Sequence, residues 1–547
     1  MGARDRQAVS TTARSAGIAL LFAVLTITMT WPQAAHLSTR VYDADDPLLS
    51  IWRLSWVAHV LPRSPTDLFN GNIFHPEQRT LAYTDSVLLY GFAGAPLIWS
   101  GVSKVTTYNL LLLMSMALSG WAMWRYAWYL TGHFGGAILA GITFAFVPFR
   151  FDHFHHLELQ ATIFLPLTLL YFERLIDRQS TRDAWLMSAC YVAQVYSCIY
   201  YSVFLATVLI PIAAIRLWNL PADQRASVIR KIIPAAIVTM VAIAPYAYTY
   251  ALNRQTLGER LDSDVHLYSA TLSNYLATTA PNVLHGGWSA SFGQPERFLF
   301  PGVMAMALAI AGALAIDRRR ISLITIGAIA FVISLGLNSP FYEPLRAILL
   351  PYRGLRAPAR ASILVFLAIA ALGAYGWARV MRGRSRSVTT IATAIVALLL
   401  LIEFRTTLDR WLTIPEQPAQ VYRWLSLQPR SVVAEVPFAR SSELDRLYDG
   451  LYMFNSTWHW QPLVNGYSGF FPPTFIELSD RTRSFPDEAS LSYLKQRGVD
   501  LLVIHGGFMT PEQFGEMTAT LLARPDIEAM AQFDEPRGSD VVFRLRR

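Results

Sequence analysis

The chain is short of charge. Of its 547 residues only 15% are Asp, Glu, Lys or Arg, against 53% hydrophobic, whereas a soluble domain carries nearer a quarter charged residues. An ordinary soluble enzyme is thereby excluded. Cysteine is scarce too: Cys190 and Cys198 are the two present, both in one apolar segment. Eight residues apart, they lie about two turns apart on a helix, too far for a disulfide within it. They read as small buried hydrophobes, with neither redox nor metal chemistry implied. Also missing are an internal repeat, a low-complexity segment and a nucleic-acid motif. The net charge of +8 therefore does not indicate nucleic acid. Many basic residues stand in short connectors beside apolar blocks, where they act as topology signals.

What is present is a series of apolar blocks of about 16–24 residues, roughly the length that crosses a bilayer core, and a mean hydropathy of +0.33. The fold class expected is a polytopic α-helical membrane protein. The blocks lie near 17–34, 108–128, 135–149, 159–175, 184–199, 200–217, 232–250, 299–316, 321–337, 359–379 and 388–404. The first has a basic flank (Arg4, Arg6, Arg14), as a signal peptide would. It runs to about Ala34 through Trp31-Pro32, which is long for a signal core, and reads as a retained span. A further apolar stretch, 86–103, holds Gly91, Gly94, Pro96 and Gly101, which weaken a regular helix. If it does not cross, the basic connectors 174–182, 216–231, 318–320 and 379–386 share a side with the basic N-terminus. If it crosses, they all flip outside. The positive-inside rule selects the first option: 86–103 is re-entrant or interfacial, and about eleven spans leave the N-terminus inside and the C-terminus outside.

This topology gives outer regions at 35–106, 150–158, 251–298 with a smaller one at 338–357, and a tail from 406 to Arg547. Two domains are expected, a membrane domain over 1–405 and a small α/β domain over 406–547. In the tail, Val432–Val436, Leu501–Ile504 and Asp540–Leu545 read as strands and Pro511–Leu522 as a helix.

Three clusters on the outer side could carry chemistry. Asp43, Asp45 and Asp46 crowd into four positions before an amphipathic, Trp-rich stretch with Trp52 and Trp56. Crowded carboxylates raise one another's pKa unless a cation is present, and two can share a divalent ion. The competing reading is a solvated loop in which Asp46-Pro47 caps the next helix. The second loop runs Arg150-Phe151-Asp152-His153-Phe154-His155-His156-Leu157-Glu158-Leu159-Gln160. Ionisable groups at membrane depth mark a working site by default, although capping histidines in a hydrated loop would look the same. The spacing of His155, His156 and Glu158 is not that of an HExxH zinc helix. The third cluster, Arg353, Arg356 and Arg360, breaks the positive-inside pattern. Arginine is the preferred partner for phosphate, here a lipid phosphate. Ion pairs to the tail or to headgroups would serve as well. Glu259, Asp262, Asp264 and His266, with Tyr268 and Tyr275, are lesser candidates for an acceptor cleft. Trp458-His459-Trp460-Gln461 and Asn465–Gly469 suit sugar stacking, or core packing in the tail.

Together these parts resemble the GT-C membrane glycosyltransferases, near the bacterial YfhO-like and dolichyl-phosphate-mannose-transferase-like branches. The resemblance covers about residues 15–405. It rests on Asp45-Asp46-Pro47 with Trp52 and Trp56, on Asn72-Ile73-Phe74-His75-Pro76 with Thr80-Leu81-Ala82-Tyr83, on Pro148-Phe149-Arg150 to His156 with Leu157 and Gln160, and on Arg356-Ala357-Pro358-Ala359-Arg360. It implies a bacterial inner-membrane transferase taking sugar from a polyprenyl-phosphate donor to a glycan, lipid or protein acceptor on the periplasmic face. Asp46 or Asp45 would be the base. Arg150, Asp152, His155, His156 and Glu158 would form the second, acceptor-side motif, and Arg353, Arg356 and Arg360 would hold the phosphate. That second motif is richer in histidine than the family's, which leaves the metal open: Mg or Mn on some of Asp43, Asp45, Asp46, His156 and Glu158 is one reading. A transporter or flippase for a lipid-linked glycan, and a non-catalytic assembly protein on the same fold, are the alternatives. Mostly clean spans and the lack of a repeat speak against the transporter.

Overall fold

Each expected span falls on a helix in the computed structural model, which describes residues 3–439, 443–535 and 538–546. Among the described residues six helices are long and apolar enough to cross a membrane: Phe134–Asp152, Leu157–Arg178, Ile199–Trp218, Ala222–Leu257, Pro358–Val380 and Arg386–Phe404. The remaining expected spans fall on helices that are shorter or more polar, including Ala3–Met29, Lys104–Thr131 and Val303–Ala313. The stretch 86–103 contains a helix of only 12 residues, Leu88–Trp99. At about 1.5 Å per residue it is much shorter than a bilayer core.

The chain folds as two compact units. The first comprises 1–36, 109–247 and 259–410, and the second 37–108, 248–258 and 411–547. The first loop thus belongs to the same unit as the tail.

In the first unit, Val303–Ala313 and Ser362–Val380 pack through glycine. A Cβ on Gly376 would stand 2.0 Å from the Leu308 carbonyl oxygen, and one on Gly312 would stand 1.9 Å from that of Leu372. Small residues let helix backbones approach this closely where no hydrophobic effect drives association. The start of Val303–Ala313 is fixed from a distance: Glu403 accepts from the amides of Val303 (2.6 Å) and Met304 (3.2 Å), placing a carboxylate on the positive end of the helix. These contacts anchor the loop before Val303 and the turn before Ser362.

In the second unit, β1 (Arg40–Tyr42) pairs antiparallel with β2 (Trp411–Thr413). A four-stranded sheet runs β3 (Val433–Val436), β4 (Leu501–His505), β6 (Gly538–Leu545), β5 (Ile527–Glu535). β3 and β4 are parallel, and the other pairs antiparallel. Alternate residues fill two cores, one around Ala434, Leu502 and Phe543, the other around Val433, Val503 and Val542. On the second face Glu435, His505 and Asp540 form a buried line. His505 Nε2 meets Glu435 Oε2 at 2.9 Å, and its Nδ1 meets Asp540 Oδ1 at 2.9 Å. Tyr422 donates to Glu435 at 2.8 Å, and the Tyr452 ring stacks on His505 at 5.2 Å.

The first loop is sewn to this unit by backbone bonds. Leu463 donates to the Asn72 carbonyl (2.8 Å), His75 to that of Leu463 (2.7 Å) and Phe74 to that of Asn465 (3.0 Å). The Asn72 side chain accepts from Trp52 Nε1 (3.0 Å) and donates to Ser456 Oγ and the Gln461 carbonyl. The residues that looked like a first-loop consensus therefore serve at least as structural clasps.

Candidate functional site

Between the helices Phe134–Phe146 and Phe164–Arg178 the chain makes two single helical turns, Phe149–Asp152 and Leu157–Gln160, with a histidine-bearing bend between them. Arg150 builds this bend. It is fully buried, donates to Thr162 Oγ1 and to the Gln160 carbonyl (3.3 Å), and Gln160 returns bonds to the carbonyls of Arg150 (2.9 Å) and His153 (2.7 Å). Arg150 is therefore committed to holding the loop.

The knot turns His153 and His156 toward each other, Nδ1 to Nδ1 at 3.4 Å. Both face Glu296: His153 Nε2 lies 3.8 Å from its Oε2, and His156 Nε2 lies 4.0 Å from its Oε1. The Glu296 amide donates to Asp152, whose Oδ2 stands 3.9 Å from His153 Nε2. Arg360, on the turn Pro358–Ala361, grips Glu296 with both arms of its guanidinium. Nε donates to Oε2 at 2.8 Å and a terminal nitrogen donates to Oε1. Glu158 is buried and adds its field at Arg360.

The electrostatics follow from this packing. Burial would by itself raise the Glu296 pKa. Arg360 and the two histidines outweigh it and hold the carboxyl well below the usual carboxylate range. Burial keeps His153 well below the usual imidazole value, against the pull of Glu296. Glu296 also sits at φ 69°, a left-handed conformation costing a non-glycine residue about 1–3 kcal/mol, which its ion pair helps to hold.

The three arginines separate. Arg353 is engaged locally, with Nε on the Arg346 carbonyl (3.2 Å), a terminal nitrogen on that of Ala347 (3.2 Å), and Glu259 at 3.4 Å. Arg360 is filled by Glu296. Arg356 lies half-buried, its guanidinium 5.2 Å over the Tyr268 ring and its amide donating to the Tyr200 hydroxyl at 3.1 Å. Among the described residues it makes no ion pair. Tyr200 also faces Arg360 at 4.8 Å. Of the lesser candidates, Asp262 pairs with Arg346, and Tyr275 bonds to Ser334.

The acidic cluster belongs to the other unit. Asp46 opens the helix Asp46–Val60, with Pro47 in its first turn, and Asp45 precedes it without a side-chain capping bond. All three acids are half-buried, and Asp43 has φ 75° and accepts from the Ala44 amide at 2.7 Å. Carboxylates at this end of a helix are favoured by its dipole.

Sequence reasoning missed Glu296 and did not single out His153. Glu296 is one acid in a loop, between Pro295 and Arg297, and only the fold brings it to the histidines. The donor atoms of His153, His156 and Glu296 lie within 4.8 Å of one another. With an unbonded imidazole nitrogen on His153, this set fits a divalent ion, provided Arg360 shares the carboxylate.

The helices, the first loop and the tail sheet define a membrane protein of the GT-C fold. Two solved structures of that fold superpose on almost the whole chain. ArnT from Cupriavidus metallidurans, bound to undecaprenyl phosphate, matches with TM-score 0.52 and 12% identity over 98% of both chains. The archaeal oligosaccharyltransferase AglB from Archaeoglobus fulgidus, in complex with an inhibitory peptide and a dolichol-phosphate, matches with TM-score 0.50 and 10% identity over 97% of this chain and 74% of its own. By sequence the chain belongs to the family described as Domain of unknown function (DUF6311), matched over residues 54–402. No curated protein matches it.

Proposed function

We propose that the chain is a membrane glycosyltransferase. It moves a sugar from a polyprenyl-phosphate-linked donor to a hydroxyl of a glycan, lipid or protein acceptor, on the periplasmic face of a bacterial inner membrane. About eleven spans put its N-terminus in the cytoplasm and its tail outside. The observation that carries this reading is Arg356, a half-buried guanidinium without an ion pair among the described residues, in a fold whose solved relatives hold polyprenyl phosphates.

In the reaction the acceptor oxygen attacks the anomeric carbon as that carbon's bond to the phosphate oxygen breaks. Polyprenyl phosphate leaves and the anomeric centre inverts. Asp46, or its neighbour Asp45, takes the acceptor proton. The leaving group carries its own negative charge, so it needs electrostatic support more than protonation. Arg356 supplies this support, and Arg360, fixed by Glu296, positions the turn that presents it. His156 and Glu158 orient the acceptor, with Arg150 holding their loop. A divalent ion on His153, His156 and Glu296 would add positive charge near the phosphate.

The test is transfer of label from a complete pool of radiolabelled polyprenyl-phosphate sugars by membranes bearing wild type, Asp46→Asn, Asp45→Asn or Arg356→Ala. Transfer by wild type that collapses in Asp46→Asn, with the protein still folded, supports the reading. Equal transfer in all four removes the residue assignment. No transfer in any overturns the reading in favour of a transporter or binding protein.

A further inference from the structure

A cleft of about 700 Å³ opens in the unit formed by the first loop and the tail, inside the range of roughly 300–1,000 Å³ typical of ligand sites. Its walls are unusually aromatic: His59, Trp99, Phe454, Trp458 and Trp460 line it together with Lys104. Trp99 and Trp458 remain 56% and 38% exposed. Trp99 is nevertheless pinned, because its Nε1 donates to the Ala58 carbonyl at 2.9 Å. A pinned, open indole is a flat apolar plate, and among the described residues no other ring stacks on Trp99.

Lys104 is one of the charged residues of the lining, with Arg63 and Glu416. Its Nζ stands 4.0 Å from the centre of the Trp458 ring and 4.3 Å from that of Phe454, and it donates to Thr457 Oγ1. Burial pulls the Lys104 pKa well below the ordinary lysine value, and the ring faces meet its amino group without using its N–H bonds as a carboxylate would. One bond goes to Thr457, so others can meet a ligand oxygen.

The third wall is strained. Trp460 has φ 55°, a conformation rare for a bulky residue and characteristic of functional sites when the surroundings enforce it. Stacking on His59 at 4.2 Å and contact with Trp56 at 5.6 Å hold it there.

Flat indole plates beside hydrogen-bond donors match a pyranose, which has an apolar C–H face and a rim of hydroxyls. A lipid tail would leave Lys104 unmatched. We propose that this cleft is a carbohydrate-binding subsite for the acceptor glycan, with sugar rings stacked on Trp99 and Trp458 and a hydroxyl on Lys104. The acceptor role rests on the transferase reading above, while carbohydrate binding itself does not.

The experiment uses the full chain in nanodiscs. Glycans released from the envelope of the encoding organism are labelled with a fluorophore and offered to wild type, Trp99→Ala, Trp458→Ala and Trp458→Phe. Undecaprenyl phosphate binding is measured on the same samples. Wild type retains labelled glycan, each alanine variant loses about tenfold or more of that affinity, Trp458→Phe recovers part of it, and all four bind undecaprenyl phosphate alike. Retention unchanged in the alanine variants, or no retention by a wild type that still binds undecaprenyl phosphate, overturns the subsite. Glycan retention that depends on the tryptophans, without undecaprenyl phosphate binding, upholds the subsite and sinks the transferase reading.

Discussion

Arg360 and Glu296, 64 residues apart in sequence, meet as a two-bonded fork buried at the end of a membrane helix. Removing one partner of such a pair leaves an uncompensated charge and costs about 3–5 kcal/mol. Glu296→Ala should therefore lower thermal stability in detergent by about that amount, with Glu296→Gln in between. A loss below about 1 kcal/mol would show that water or lipid already screens the pair.

Arg356 should behave in the opposite way. With no ion pair to lose, Arg356→Ala leaves the unfolding temperature nearly unchanged. It weakens undecaprenyl phosphate binding about 10–100-fold, the worth of about 1.5–3 kcal/mol of charge-assisted bonding. Arg356→Lys keeps part of the affinity, since a point charge cannot form the planar fork. A binding titration on both variants checks the order. Equal affinity in all three forms would remove Arg356 from the phosphate site.

The glycine contact between Val303–Ala313 and Ser362–Val380 allows no side chain. Gly376→Ala places a methyl 2.0 Å from a backbone oxygen, so the helices must part, at a cost of about 1–3 kcal/mol. The loss should appear as a lower unfolding temperature, and in the loops at the ends of these helices as faster amide exchange than in wild type.

His505 gives the tail a pH dependence. Burial opposes its charge, but the hydrogen bonds it donates to Asp540 and Glu435 and their negative fields prevail, raising its pKa to about 9 from 6.5. A raised folded-state value contributes stability that is complete below about pH 6.5 and is lost as pH rises through about 9. The unfolding temperature of the sheet should fall across that window. His505→Gln should flatten the fall, and a histidine NMR titration on the full chain should give the raised value directly. A flat wild-type profile between pH 6.5 and 9.5 would contradict the assignment.

Much of this fold is visible in the sequence because membrane helices declare themselves by composition over twenty residues. The strands β3, β4 and β6 and the helix Pro511–Leu522 are legible as well, from alternation and a Thr-Pro start. β5 is not: Ile527–Glu535 carries Glu528, Asp534 and Glu535 on a half-exposed edge, so it lacks the apolar alternation of a buried strand. At the site, the histidine loop and Arg356 are legible because charge in an apolar chain is conspicuous. The grouping of the arginines is not. Arg353, Arg356 and Arg360 look equivalent in sequence, and only tertiary contacts show that Glu259 and backbone carbonyls engage the first and Glu296 the last. Glu296 itself carries no local signal.

The clasp between Asn72–His75 and Leu463–Asn465 has a bearing on biogenesis. Asn72 must wait for a partner 389 residues downstream, which at about 5–20 residues per second means roughly 20–80 seconds of further synthesis. The first loop stays open until residues 461–465 have been made. A nascent chain released before the tail is made would carry its helices but not a closed first loop, so the tail acts as a completion check on that loop.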